Sequence, residues 1–281
     1  MTSYRRLFGL GSLGGVRKFA PILASAALLT GAAYAADTPA ADATDSTAIK
    51  SEAADAGDKP AKPPKKLPPP AGAKPLPGSK TVWVDRQKHK VYVDGAVSLR
   101  RGVLEMFACP KGTKEHESVV ALDSKAYLIH TALLAVGAKS GTPVKFVEEY
   151  IAPTGDVIDV SVEWLDPAGK KHTVNAKEWV RDVKTGKPMT FDWVFAGSGF
   201  WKDDQTGRNI YMAEGGDLIC VANFSTAMLD VAAESTQAND GLMFEAFTEH
   251  VPALGTPIRV VLTPKKAEKA AAEKPKADNP E

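Results

Sequence analysis

Cysteine is nearly absent, with two residues in a chain of 281. Two thiols cannot staple a disulfide-dense miniature scaffold, and they fall short of the four thiolates an iron–sulfur cluster draws from one chain. Net charge is equally scarce: 35 Lys+Arg face 34 Asp+Glu, a formal total of +1. A general nucleic-acid binder needs a strongly basic face to displace counterions from phosphates, so this balance argues against such a partner. No aromatic residue occurs between Tyr34 and Trp83, while all five tryptophans fall from Trp83 to Trp201. A long apolar run is also missing. The stretch Phe19–Thr30 is too short for a spanning helix and is interrupted by Pro21, so no stable membrane span is expected after its removal.

What is present is segmented. Residues 1–80 hold 11 Lys+Arg against 6 Asp+Glu and ten of the 20 prolines, whereas residues 81–264 hold 19 against 24. Aromatic and branched side chains supply most of the area buried on folding, which places the folded part in residues 81–264 as one domain. Residues 1–35 have the grammar of an export signal. Arg5, Arg6, Arg17 and Lys18 precede the short apolar stretch, and Ala33-Tyr34-Ala35 offers small residues for cleavage. The Arg5-Arg6 pair partly matches a twin-arginine signal, so either that route or the ordinary secretory one is open. The expected location is periplasmic or secreted, in a bacterial cell envelope. Cleavage would remove four positive charges and leave the mature chain near −3.

Residues 36–80 alternate Ala, Asp and Ser with a Pro/Lys run, and read as a disordered linker that cannot bury enough apolar area to offset its ordering entropy. Residues 265–281 repeat that composition and read as a disordered charged tail. Within the domain, Thr81–Asp85, Lys90–Asp94 and Val157–Leu165 alternate with period two, as strands do. Asp94-Gly95 reads as a turn, and His116–Leu122 as a strand pairing back on Val103–Cys109. The clearest helix spans about 124–136, capped by Asp123, closed by Gly137, and apolar almost all round, hence buried. Leu242–Phe247 reads as a second helical piece. Many strands and few helices without regular alternation predict an α+β domain with a mostly antiparallel sheet.

The densest chemistry is Cys109-Pro-Lys-Gly-Thr-Lys-Glu-His-Glu-Ser118. Two functional readings fit it, beside a plain exposed turn next to a buried Cys109. In one, Cys109 is a nucleophile with His116 as its base, and Glu117 in support. In the other the run binds a ligand through Lys114, His116, Glu117 and Ser118, or a metal through His116, Glu117 and His130. His130 has a rival role as a hydrogen-bonded core histidine. Cys109 and Cys220 both lie in apolar strands and are either a disulfide pair or two buried thiols. Glu234, Gln237, Asn239 and Asp240 cluster after an apolar stretch and are candidates to line a polar pocket. Phe195-Ala-Gly-Ser-Gly-Phe-Trp201 lacks the G-x-G-x-x-G spacing, and reads as a tight turn packing Phe200 and Trp201, or as an aromatic platform for a ligand.

Lys114-Glu-His-Glu-Ser-Val119, Ala132-Leu-Leu-Ala-Val-Gly137 and Glu214-Gly-Gly-Asp217 together resemble the YdjY-like domain of bacterial exported proteins. Phe195–Trp201 and Glu234–Asp240 are similar to segments of its planctomycete-type members. The resemblance covers about residues 81–264 and implies an exported domain, without implying a reaction or a cofactor. The leading expectation is a noncatalytic module that binds a small ligand, a metal or an envelope protein. The alternative is the thiol enzyme built on Cys109 and His116.

Overall fold

Strands form where branched and aromatic residues alternate with polar ones, and the alternation carries through to burial. In Val157–Leu165, Ile158, Val160 and Val162 are buried while Asp159, Ser161 and Glu163 are half-exposed. The computed structural model describes residues 65–147, 149–235 and 243–265, which all belong to one compact unit. Its first half contains β1 (Lys74–Pro75), β2 (Val82–Asp85), β3 (Lys90–Val97), β4 (Val103–Leu104), β5 (Met106–Pro110), β6 (Ser118–Leu122) and the helix α1 (Ala126–Ala135). There follow β7 (Val157–Leu165), β8 (Lys171–Asn175), β9 (Val180–Asp182), β10 (Trp193–Val194), β11 (Phe200–Lys202) and β12 (Asn209–Tyr211). The last four are β13 (Ile219–Cys220), β14 (Asp230–Val231), β15 (Phe244–Ala246) and β16 (Pro257–Pro264).

The main sheet runs β13-β5-β6-β3-β16-β7-β10-β14, with β2 also on β3 and β8 also on β7. Its spine is β3-β16-β7, paired antiparallel over most of their lengths. The two ends then approach each other. Ile219 in β13 bridges to Leu229, the residue before β14, and the Cys220 N–H donates to the Leu229 carbonyl at 2.9 Å. Trp193 on β10 reaches across and donates its indole N–H to the Cys220 carbonyl at 2.8 Å. The result is a nearly closed, mixed sheet, which leaves little unpaired edge. Trp193, Phe107, Ile158, Leu122 and Ile219 fill its interior, each contributing on the order of 2–3 kcal/mol by burial. α1 packs against β2 and β3 through Ala126, Ile129, Ala132 and Leu133. Two small sheets lie outside, β11-β12 and β4-β15-β9.

The domain is therefore mostly β, with one α-helix among the described residues. Several local expectations give way to tertiary structure. Asp94-Gly95 is no turn, because β3 runs straight through it and pairs with both β6 and β16. Gly95 is there because β6 comes close: a Cβ would press into the Ala121 carbonyl and sit 2.9 Å from the Leu122 side chain. The segment 242–247 holds β15 instead of a helix, since Phe244 and Ala246 alternate into the interior between β4 and β9. Asp123 does not cap α1. Lys125 occupies the cap position, and Glu214 Oε1 accepts the Tyr127 N–H at 2.8 Å from 87 residues away. α1 is also only half-buried, with Tyr127 and Leu134 about half exposed.

Upstream of Thr81 the described chain is already paired. β1 lies antiparallel to β2 and Leu76 is buried, so contacts with the domain begin before the boundary drawn from composition. The signal segment 1–35, the linker up to residue 64 and the tail beyond Lys265 lie outside the described residues.

Gly95→Ala is expected to lower stability by about 2–3 kcal/mol through overpacking against β6, with the circular dichroism of the fold retained. Urea denaturation measures it, and a loss below ~0.5 kcal/mol would show that the β3–β6 approach is not as tight as described.

Candidate functional site

The run singled out in the sequence forms a tight return. β5 and β6 pair in parallel, with Met106 opposite Ser118, so residues 111–117 must double back along the length of a strand. A parallel connection usually takes a dozen residues or more. Here seven suffice because the loop folds on itself: the Thr113 hydroxyl donates to the Pro110 carbonyl, Glu115–Glu117 make one 3₁₀ turn, and the Lys111 N–H donates to the Leu122 carbonyl.

This return delivers Lys114 into a cluster of carboxylates. Its ammonium lies 3.1 Å from Asp217, 3.4 Å from Glu117 and 3.8 Å from Glu105, and 5.2 Å from the Phe224 ring centroid. The aliphatic stem lies across Gly216, where a Cβ would come within 2.6 Å of Lys114 Cγ and Cδ, and where φ is +132°. Asp217 in turn accepts a hydrogen bond from the Thr226 hydroxyl. Glu214-Gly-Gly-Asp217 thus does two tasks, capping α1 through Glu214 and seating Lys114 through Gly216 and Asp217. Two of the segments that carried the family resemblance meet at this point.

Burial works against the Lys114 ammonium, yet Asp217 and Glu117 outweigh it and the pKa is raised. Glu105 is held above the usual carboxylate range, first by burial and then by the Glu117 charge beside it. A lysine so paired stays protonated at neutral pH and is no nucleophile. Its role is to hold three carboxylates together beneath the return.

The structure separates the other candidates. Cys109 is fully buried, and its thiol faces the hydroxyls of Ser118 and Thr113 and the backbone of Lys114; burial pushes its pKa up. His116 is the most exposed member of the run, at 76%, with its imidazole 3.9 Å from Glu117 Oε1. Ser118 is completely buried. Cys220 packs against Met106, Ala227 and Phe224, and burial raises its pKa well above the ordinary thiol value. Both cysteines are free in the structure, and Cys220 is the ladder partner of Met106, on the far side of β5 from β6. The metal set His116, Glu117 and His130 is not assembled either. No group of three His, Cys, Asp or Glu side chains among the described residues is arranged to hold a metal ion. His130 instead bonds the Tyr211 hydroxyl at 2.8 Å and packs edge-on to Phe195, and burial lowers its pKa. Glu234 is exposed, while Gln237, Asn239 and Asp240 lie outside the described residues.

One feature escaped the sequence reading. Asp230 is fully buried, where Oδ1 accepts from Asn223 Nδ2 (3.1 Å) and the Val231 N–H (2.8 Å), while Oδ2 has no hydrogen-bond partner among the described residues. Burial pushes its pKa up to about 7. The available signal was a single acid inside Met228-Leu-Asp-Val-Ala232. The Phe195–Trp201 run leads into an arm formed by β11 and β12, closed by a turn at Asp203–Gly207. Phe200 and Trp201 are not packed into a turn; they stand 68% and 48% exposed on this arm, with Phe200 leaning on Tyr211 above His130.

Maleimide labelling of the native protein is expected to leave both thiols unmodified from pH 6 to 9, with two sites appearing on denaturation. One rapidly labelled native thiol would restore the nucleophile reading. For Asp230, the folded carboxyl binds its proton more tightly than the unfolded one, so its contribution favours folding at low pH and is lost as pH rises from about 4 to about 7. Asp230→Asn is expected to remove up to about 4 kcal/mol of this pH-dependent loss relative to wild type, read from chemical denaturation at pH 4 and pH 7.5. Parallel stability–pH curves for the two proteins would contradict it.

A family model described as the YdjY domain matches residues 82–263, well over half of the chain. No curated protein and no solved structure matches it.

Proposed function

The chain belongs to the YdjY domain family, and on that premise we propose that it is an exported, noncatalytic interaction module of the bacterial cell envelope. Export rests on Arg5, Arg6, Arg17 and Lys18 ahead of Phe19–Thr30 and Ala33-Tyr34-Ala35. The observation that carries the interaction reading is the exposed Phe200–Trp201 pair on the β11–β12 arm. Nothing in the interior requires these rings, whereas the two thiols are buried and Lys114 is paired with carboxylates. Large aromatic side chains held rigid on a short hairpin are the residue types that carry binding energy at protein and ligand interfaces. Within the same reading, the domain is classed as α+β with a mostly antiparallel sheet, α1 serving as the layer laid on β2 and β3. The contact is with an envelope protein or a small ligand.

A photo-reactive phenylalanine analogue placed at position 201 of the exported full chain tests this in cells. A discrete adduct is expected, reduced at least about tenfold by Phe200→Ser with unchanged thermal stability. Absence of any adduct, from a properly folded and exported protein, would remove the arm as a contact surface.

A further inference from the structure

Arg259 is the most deeply buried cation of the described domain, only 2% exposed in the middle of β16. A buried guanidinium is costly unless its donors are matched. Its Nε donates to Asp94 Oδ1 at 2.7 Å, and its Cζ lies over the Trp83 ring, 4.8 Å from the centroid. Nη1 donates at 2.7 Å to the carbonyl of Pro68, which lies 191 residues earlier, in the proline run. The segment Leu67–Ala71 therefore lies on the outside of the main sheet. A cavity of about 480 Å³ remains between it and Tyr92, Glu163, Lys171 and Arg259. Just downstream, Ala73 packs on Trp83, Tyr92 and Val261, and β1 joins the edge of β2.

These contacts combine three elements suited to a proline-rich segment. Proline carbonyls accept hydrogen bonds while the ring nitrogens donate none, so the segment offers Arg259 an acceptor without bringing unmatched donors. Consecutive prolines are pre-ordered and lose little entropy on docking. Aromatic surfaces such as Trp83 and Tyr92 provide flat apolar faces against which such segments settle. If the segment leaves, Nη1 exchanges the Pro68 carbonyl for water and the Trp83–Tyr92 face loses its cover, so the open groove retains both a donor and an apolar surface for the segment.

We infer that the outer sheet face around Arg259, Trp83 and Tyr92 is a recognition groove for a proline-rich segment, occupied in cis by the chain's own Leu67–Ala71. The linker is thereby clamped to the last strand of the domain, and its point of departure is set by Arg259.

The full chain allows a direct test, because Lys59, Lys62 and Lys74 each precede proline and resist trypsin, leaving Lys65–Lys66 and Lys66–Leu67 as the cleavable bonds around the clamp. Arg259→Met and the triple variant Pro68→Gly/Pro69→Gly/Pro70→Gly are compared with wild type. Cleavage at these bonds is expected to accelerate about tenfold or more in both variants. A labelled synthetic peptide of residues 65–76 is then expected to bind the triple variant, whose groove is free. It should bind wild type at least about tenfold more weakly, and Arg259→Met not detectably. The triple variant alters no buried residue, so it decides the matter even if Arg259→Met fails to fold. Equal cleavage rates in the triple variant and wild type, or a peptide that ignores the triple variant, would overturn the inference.

Discussion

The bond from the Trp193 indole to the Cys220 carbonyl joins two strands that neighbour each other only if the sheet curls back on itself. β13 and β14 are two residues long, too short to persist as free edges. They hold because the Ile219–Leu229 bridge and Trp193 close the circuit from opposite sides. Closure in turn dictates what may lie inside, and Phe107 meets Trp193 at 5.8 Å there. It also settles the fate of Cys220, whose backbone carries the closing bonds while its side chain fills space against Met106 and Ala227.

The same closure places Asp217 next to the return between β5 and β6, and so makes the Lys114 cluster. A thiol, an imidazole, a lysine and several carboxylates within ten residues look like a reaction centre in one dimension. In three dimensions the short parallel crossover turns the thiol inward, the imidazole outward and the lysine sideways. Proximity in sequence is cancelled by the direction of each side chain along the loop. What remains is an ion cluster that secures a short connection, with Gly216 leaving room for the lysine stem.

Stabilising groups and exposed ones are thus sharply divided. Buried Arg259 and part-buried Lys114 are matched by partners far away in sequence, 191 and 103 residues for the contacts with Pro68 and Asp217. Each holds a surface segment against the closed sheet. The β11–β12 arm is the contrasting case, since its aromatic rings meet their own hairpin and are otherwise free to engage something else.

Much of the strand content was legible, because period-two burial is a local property: β2, the first part of β3 and β7 fall where alternation predicted them. The export grammar, the acidic balance of residues 81–264 and the family resemblance were likewise properties of composition and motif, and the family match over 82–263 agrees with the last. The elements that misled were those decided by distant partners. Gly95 signalled a turn but serves a close approach by β6, and Asp123 signalled a cap that Glu214 supplies. Phe244–Ala246 is too short for its own pattern to select strand over helix, so β4 and β9 select it. Cys109 and His116 could be named as candidates, but only the parallel register of β5 with β6 turned one in and the other out. Sequence by itself determined which residues have something to bury. Tertiary structure decided which of them meet, because hydrogen-bond donors and charges removed from water must be matched wherever the closed sheet happens to place them.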